Sequence, residues 1–197
     1  MARTKTAIQN MQEDSAYSKT AAEILDWTYY DTYKLVVAAT TYTFFAVPLG
    51  QAGKNLADTN WELSGVLPQG QQFTVFVIKP IFLSTAALAD ANIQAYYNFL
   101  FDTTVEIRIT GKDSLGTWTL AEIMGMSSMV QATPTVAGDN VPLNTPNFKG
   151  IFPLNVPLKV GANQTLKVEC TFFTPIAAGL ADCYLRMCMQ GKLKRLS

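Results

Sequence analysis

Residues 65–83, GVLPQGQQFTVFVIKPIFL, decide the fold, because a turn rich in Gly and Pro runs there into the most apolar strand pattern of the chain. At a period of two, Phe73, Val75 and Val77 fall on one face and Thr74, Phe76 and Ile78 on the other. Neither face suits water. One face lines a core, and the other needs a cover: a helix of the same chain or another copy of the protein. Phe76 and Ile78 are accordingly candidates for a subunit interface.

Working outward from this strand, β-branched and aromatic runs predict seven more, over 32–39, 41–48, 102–110, 117–124, 151–160, 164–173 and 183–190. Pro153 and Pro157 place the sixth of these eight strands at a sheet edge or break it. Ser84 and Thr85 can cap a helix reaching Phe101, whose apolar residues recur at three and four and would cover one side of a sheet. Residues 50–70, around Trp61, and 131–150 read as long loops, and Asn163 reads as a turn. Met124, Met126 and Met129 are either core filler or a surface that moulds to a partner. Eight strands joined partly by long crossovers predict an all-β, eight-stranded jelly-roll β-sandwich, a single barrel with one short inserted helix.

Residues 1–30 read as an N-terminal arm and 31–197 as the single domain. Thr20-Ala-Ala-Glu23 has capping-box spacing, which predicts a short helix near 21–27. The arm is either disordered or ordered against a neighbouring subunit, with Ile24, Leu25, Trp27, Tyr29 and Tyr30 as the contacts. Lys192, Lys194 and Arg195 read as a basic tail.

Composition narrows the function. Charged residues are 15% and hydrophobic ones 49% of the chain, so apolar surface is expected between subunits. No apolar run approaches the roughly 18 residues of a spanning helix. The 15 basic and 15 acidic residues balance, so any contact with nucleic acid or an anionic membrane must be local. The absence of histidine removes Ser-His-Asp and Cys-His catalysis and histidine zinc sites. Gly50-Gln-Ala-Gly53-Lys54 fails as a phosphate loop: Pro48 stands at the first glycine position, Asn55 follows the lysine, and no helix pattern comes after. Glu106 and Arg108 read as a solvated face rather than a catalytic pair. Cys170, Cys183 and Cys188 lack CxxC spacing and read as small buried thiols. With no apolar leader in residues 1–19, synthesis in a cytosol is expected. No catalytic residue, cofactor or metal site is predicted, and an enzyme is not expected.

TNWELSGVLPQGQQFTVFVIKPIFL (59–83), with the closing strands TLKVECTFF (165–173) and ADCYLRMCMQGKLKRL (181–196), resembles single-jelly-roll capsid proteins of tailless icosahedral bacteriophages, particularly those with an internal membrane. The resemblance carries pattern and order rather than a motif. It implies a homo-oligomer, a trimer or a larger shell assembly, made in the host cytoplasm and residing in the virion beside other capsid proteins. Lys192, Lys194 and Arg195 would then face lipid or genome. The competing expectation is a trimeric carbohydrate- or receptor-binding β-sandwich, a spike or adhesin, with Trp61 and Trp118 stacking on sugars.

Overall fold

The computed structural model describes residues 21–84, 90–110, 115–124, 152–181 and 183–196. In chain order the strands are β1 (Ala21–Lys34), β2 (Thr41–Phe44), β3 (Gln71–Ser84), β4 (Thr103–Ile109), β5 (Thr117–Thr119), β6 (Phe152–Val160), β7 (Leu166–Phe172) and β8 (Cys183–Leu196). Helix α1 (Asp90–Phe101) lies between β3 and β4, and the single turn α2 (Leu120–Ile123) follows β5. The strands form two antiparallel four-stranded sheets, ordered β1-β8-β3-β6 and β2-β7-β4-β5. First pairs with last throughout: β1 with β8, β2 with β7, β3 with β6, and β4 with β5.

Alternation along the strands makes the core. β4 and β7 bury Val105, Ile107, Ile109, Leu166, Val168, Cys170 and Phe172, while β8 contributes Leu185, Met187, Met189 and Leu193 from the facing sheet. Glu106 and Arg108 lie on the outer face, where Arg108 Nη2 donates to Glu106 Oε2 at 2.6 Å in an exposed pair, as the sequence predicts. Asn163 has φ 62° in the turn after β6. β6 is an edge strand with Pro153 and Pro157 in it, and its pairing with β3 slips between Val75 and Val77.

β3 departs from the simple period. A bulge between Val75 and Val77 inserts Phe76, so Val75 pairs with Gly191 while Val77 pairs with Gln190. The extra residue flips every later side chain. Ile78, predicted opposite Val75, therefore joins Phe73 and Val75 in the core, and Val77 turns outward.

Helix α1 closes an end of the sandwich rather than covering a sheet face. Phe82 of β3 meets Tyr96 and Phe99 at centroid distances of 4.7 and 5.7 Å, and Phe99 stacks on Phe172 of the other sheet at 5.5 Å. Of its predicted caps, Ser84 is the last residue of β3 and Thr85 falls outside the described residues. The strand predicted over 117–124 stops at Thr119 because Thr119 and Glu122 form a reciprocal capping box that starts α2. Met124 packs against the core there; Met126, Met129 and the loop 131–150 fall outside the described residues.

The arm also differs from expectation. Residues 21–30 are strand, not helix, and the expected boundary at Tyr30 falls inside β1. From Tyr29 the inward residues alternate through Asp31 and Tyr33, and β1 pairs with β8 along its length. A capping-box spacing without apolar residues at helical period loses to that ladder. The basic tail is likewise strand, since β8 runs to Leu196 and contains Lys192, Lys194 and Arg195.

Candidate assembly surfaces

Three surfaces follow from this framework. The first lies beside the bulge. Gly191 is there because its neighbour is backbone: a Cβ at this position would lie 1.9 Å from the Thr74 carbonyl oxygen. Beside it Phe76 and Trp27 border a groove of about 340 Å³. The structure thus brings two predicted interface residues together, but only Trp27 is exposed, at 37%; Phe76 is buried at 7% and offers a neighbour little more than its edge. Ile24, Leu25 and Tyr30 are half-buried on β1. Tyr29 and Ile78, by contrast, belong to the core of the subunit itself and offer nothing to a neighbour. Burial pushes the Tyr29 hydroxyl up to about 12.

The second surface is the free edge of β1, which the 45–61 segment covers. Asn60 imitates a strand: its side-chain oxygen accepts from Tyr30 N at 2.9 Å and its amide donates to the Thr28 carbonyl at 2.8 Å. Thr59 Oγ1 donates to the Tyr30 carbonyl at 3.0 Å. A buried ion pair holds this segment in place. The Lys54 ammonium donates to Asp31, which is fully buried and also accepts from the amides of Thr32 (3.0 Å) and Phe45 (2.7 Å). Lys54 Nζ lies 3.7 Å from the centre of the Tyr33 ring. Phe45 reaches Asp31 only by adopting φ 63°, a costly conformation for a bulky residue. Burial holds the Asp31 carboxyl above the usual carboxylate range, against the opposing pull of Lys54 and the two amides. Neither Asp31 nor the role of Lys54 was predicted. A lone acid 23 residues before a lysine leaves no spacing signal.

The third surface is apolar and lies at the α1 end. The β1–β2, β7–β8 and α1–β4 connections meet there through the bonds Ala38 N to Ile176 O at 3.0 Å and Phe173 N to Asp102 O at 3.3 Å. Val36 (58%), Val37 (49%) and Phe173 (81%) are largely in water, and Phe101 and Leu83 are exposed at the same end. Scattered exposed apolar residues are ordinary, but several on adjoining connections make this end a candidate contact surface.

Other predicted groups are less available. Trp61 is 1% exposed, wedged between Tyr29 and Phe45 at 4.8 and 5.4 Å, so it cannot stack on a sugar. Trp118 is half-buried against Phe152. All three cysteines are buried and unpaired with one another, and burial pushes the Cys170 and Cys188 thiols up. A thiol reagent such as 5,5′-dithiobis(2-nitrobenzoate) should therefore label the native protein only as fast as it opens, and a burst of labelling at neutral pH would contradict this burial. Among the described residues no three His, Cys, Asp or Glu side chains converge as metal ligands, and no helix is long and apolar enough to cross a membrane. No protein-family model and no curated protein matches the chain.

Proposed function

We propose that the chain is a structural subunit, a single jelly roll that self-associates into a closed icosahedral shell, as the capsid protein of a tailless bacteriophage would. The observation that carries this reading is the nested pairing of strands, first with last through fourth with fifth, in two sheets ordered β1-β8-β3-β6 and β2-β7-β4-β5. Such nesting is what one long hairpin rolled into a sandwich would give, and it supports a jelly-roll wrap of the kind found in capsid and lectin domains. The apolar end built from Val36, Val37 and Phe173 supports the assembly half of the reading, because surface of this kind is buried when copies meet. Burial of Trp61 weighs against the sugar-binding alternative. The shell would form in the host cytoplasm, reside in the virion and contact further capsid proteins.

Static light scattering and negative-stain electron microscopy of the protein, concentrated alone, are expected to give regular particles or lattices. A protein that stays monomeric at millimolar concentration would sink the reading. Phe173→Ser should leave the unfolding midpoint within about 0.5 kcal/mol of wild type, as surface changes do. It should raise the concentration needed for assembly about tenfold or more, since burying a phenylalanine is worth about 1.5–3 kcal/mol.

A further inference from the structure

We infer that the outer face of the β1-β8-β3-β6 sheet is a docking surface for a nucleic-acid backbone. The register places the side chains. Because Leu185, Met187, Met189 and Leu193 point inward, Arg186, Lys192 and Lys194 of β8 point outward, and so do their cross-strand neighbours. Lys34 lies beside Tyr184, Lys79 beside Cys188, and Thr74 lies between Lys192 and Lys159. Six basic residues thus share one face, and among the described residues Asp26, opposite Lys192, is the acidic residue whose register places it there. Arg195 points to the other side and pairs with Glu23 at 3.3 Å.

This asymmetry is local, because the chain as a whole carries no net charge. On the opposite sheet the outward charges balance, Glu106 and Glu169 against Arg108 and Lys167. Some of the six already have partners within the chain. Arg186 donates to Thr32 Oγ1 at 2.9 Å and to the Ala57 carbonyl at 2.6 Å, and Lys34, Lys159 and Lys194 also make contacts. The surplus of positive charge comes from where the residues stand, not from their being unpaired.

The end of the face that carries Lys159 and Lys194 favours a chain of phosphates: Gln72, Gln164, Lys159 and Lys194 line one hollow of about 260 Å³ there, and Thr28 and Gln190 stand on the same face as further hydrogen-bonding groups. Beyond the bulge Tyr30, Val77, Ile81 and Leu83 also face outward, so an anionic lipid surface, which takes apolar side chains among the charges, is the competing partner. Alternate residues of a strand lie roughly 6.7 Å apart and neighbouring strands about 4.8 Å apart, so Lys192, Lys194 and Lys159 form a compact cluster able to follow a chain of phosphates. Nothing on this face offers sequence readout, so the binding is expected to be non-specific and sensitive to salt. The inference goes beyond the assembly reading and does not depend on it.

Fluorescence anisotropy with a labelled 30-nucleotide single strand tests it, in parallel with sedimentation on phosphatidylserine vesicles. The wild type should bind the strand, and the triple variant K159Q/K192Q/K194Q should bind on the order of a hundredfold more weakly at 0.1 M salt, with a log–log salt slope shallower by about two to three. Lys167→Gln, on the other sheet, should change neither. If the triple variant does not fold, acetylation of wild-type lysines read by mass spectrometry serves instead: the strand should protect Lys192 and Lys159 and leave Lys167 open. Absence of binding by the wild type, equal protection of Lys167, or binding to the vesicles without binding to the strand would each overturn the inference.

Discussion

Gly191→Ala is expected to be the most damaging single substitution in the chain. The glycine does not serve a left-handed turn; what it supplies is space. An added Cβ would meet the Thr74 carbonyl oxygen at 1.9 Å, its carbon at 2.8 Å and Val75 Cα at 3.0 Å, all of them backbone. No rotamer change relieves a clash with main chain. β8 and β3 are the two central strands of their sheet, so separating them would disturb the ladder from Gln71 to Ser84 and the core residues Phe73, Val75, Met189 and Leu193 that it positions. Overpacking a tight site costs typically 1–3 kcal/mol, and a clash confined to backbone belongs at or above the top of that range, about 3 kcal/mol or more. Urea unfolding measures it: the midpoint should fall with little change in slope, or the variant should fail to accumulate as folded protein. Gln190→Ala, one residue away and facing outward, is the matched control and should change stability by less than about 0.5 kcal/mol. A Gly191→Ala protein as stable as that control would mean that the bulge can slide along β3.

The same bulge marks where the sequence stops being readable. β-branched and aromatic content identified the segments that became β2 and β6, and alternation those of β3, β4, β7 and the first half of β8, because period two is a local property of five to ten residues. It could not register one inserted residue: Phe76 is as apolar as its neighbours, so nothing announces that Ile78 changes face. Proline gave a firmer signal, since the missing donors at Pro153 and Pro157 favour an edge strand; Pro80 is tolerated in central β3 beyond Ile78, the last β3 residue in the described ladder with β6. β1 was misread from Ala21 because alanine, glutamate and leucine favour a helix locally, while the partner that settles the matter, β8, lies more than 150 residues away. Lys192 and Lys194 looked like a tail for the reciprocal reason. As for the candidate surfaces, Trp27 and Phe76 were legible as sticky residues. The basic face was not, because its six members come from four strands and meet only through register.

The second large effect should come from Asp31. Asp31→Ala removes one acceptor from three donors at once, the Lys54 ammonium and the amides of Thr32 and Phe45, in a site without water access to the carboxylate. Removing one partner of a buried pair typically costs about 3–5 kcal/mol. The loss should also be local in kind. With the anchor gone, Phe45 has no reason to keep its left-handed conformation, and the 45–61 segment should leave the β1 edge. Hydrogen exchange should therefore quicken at Tyr30 and Trp61 more than at Ile107, and uniform quickening would refute the anchoring role. Lys54→Met separates charge from packing through pH. Burial raises the Asp31 carboxyl, so the folded state holds its proton to a higher pH than the unfolded chain does. The stability linked to Asp31 is then fully present below the ordinary carboxylate value and is lost as pH rises through the folded value. Without Lys54 that folded value climbs further. The variant should accordingly be close to wild type near pH 4 and fall progressively below it toward pH 7, as seen in urea midpoints across that range. A deficit that is constant with pH would assign the contribution of Lys54 to its contact with the Tyr33 ring rather than to the carboxylate.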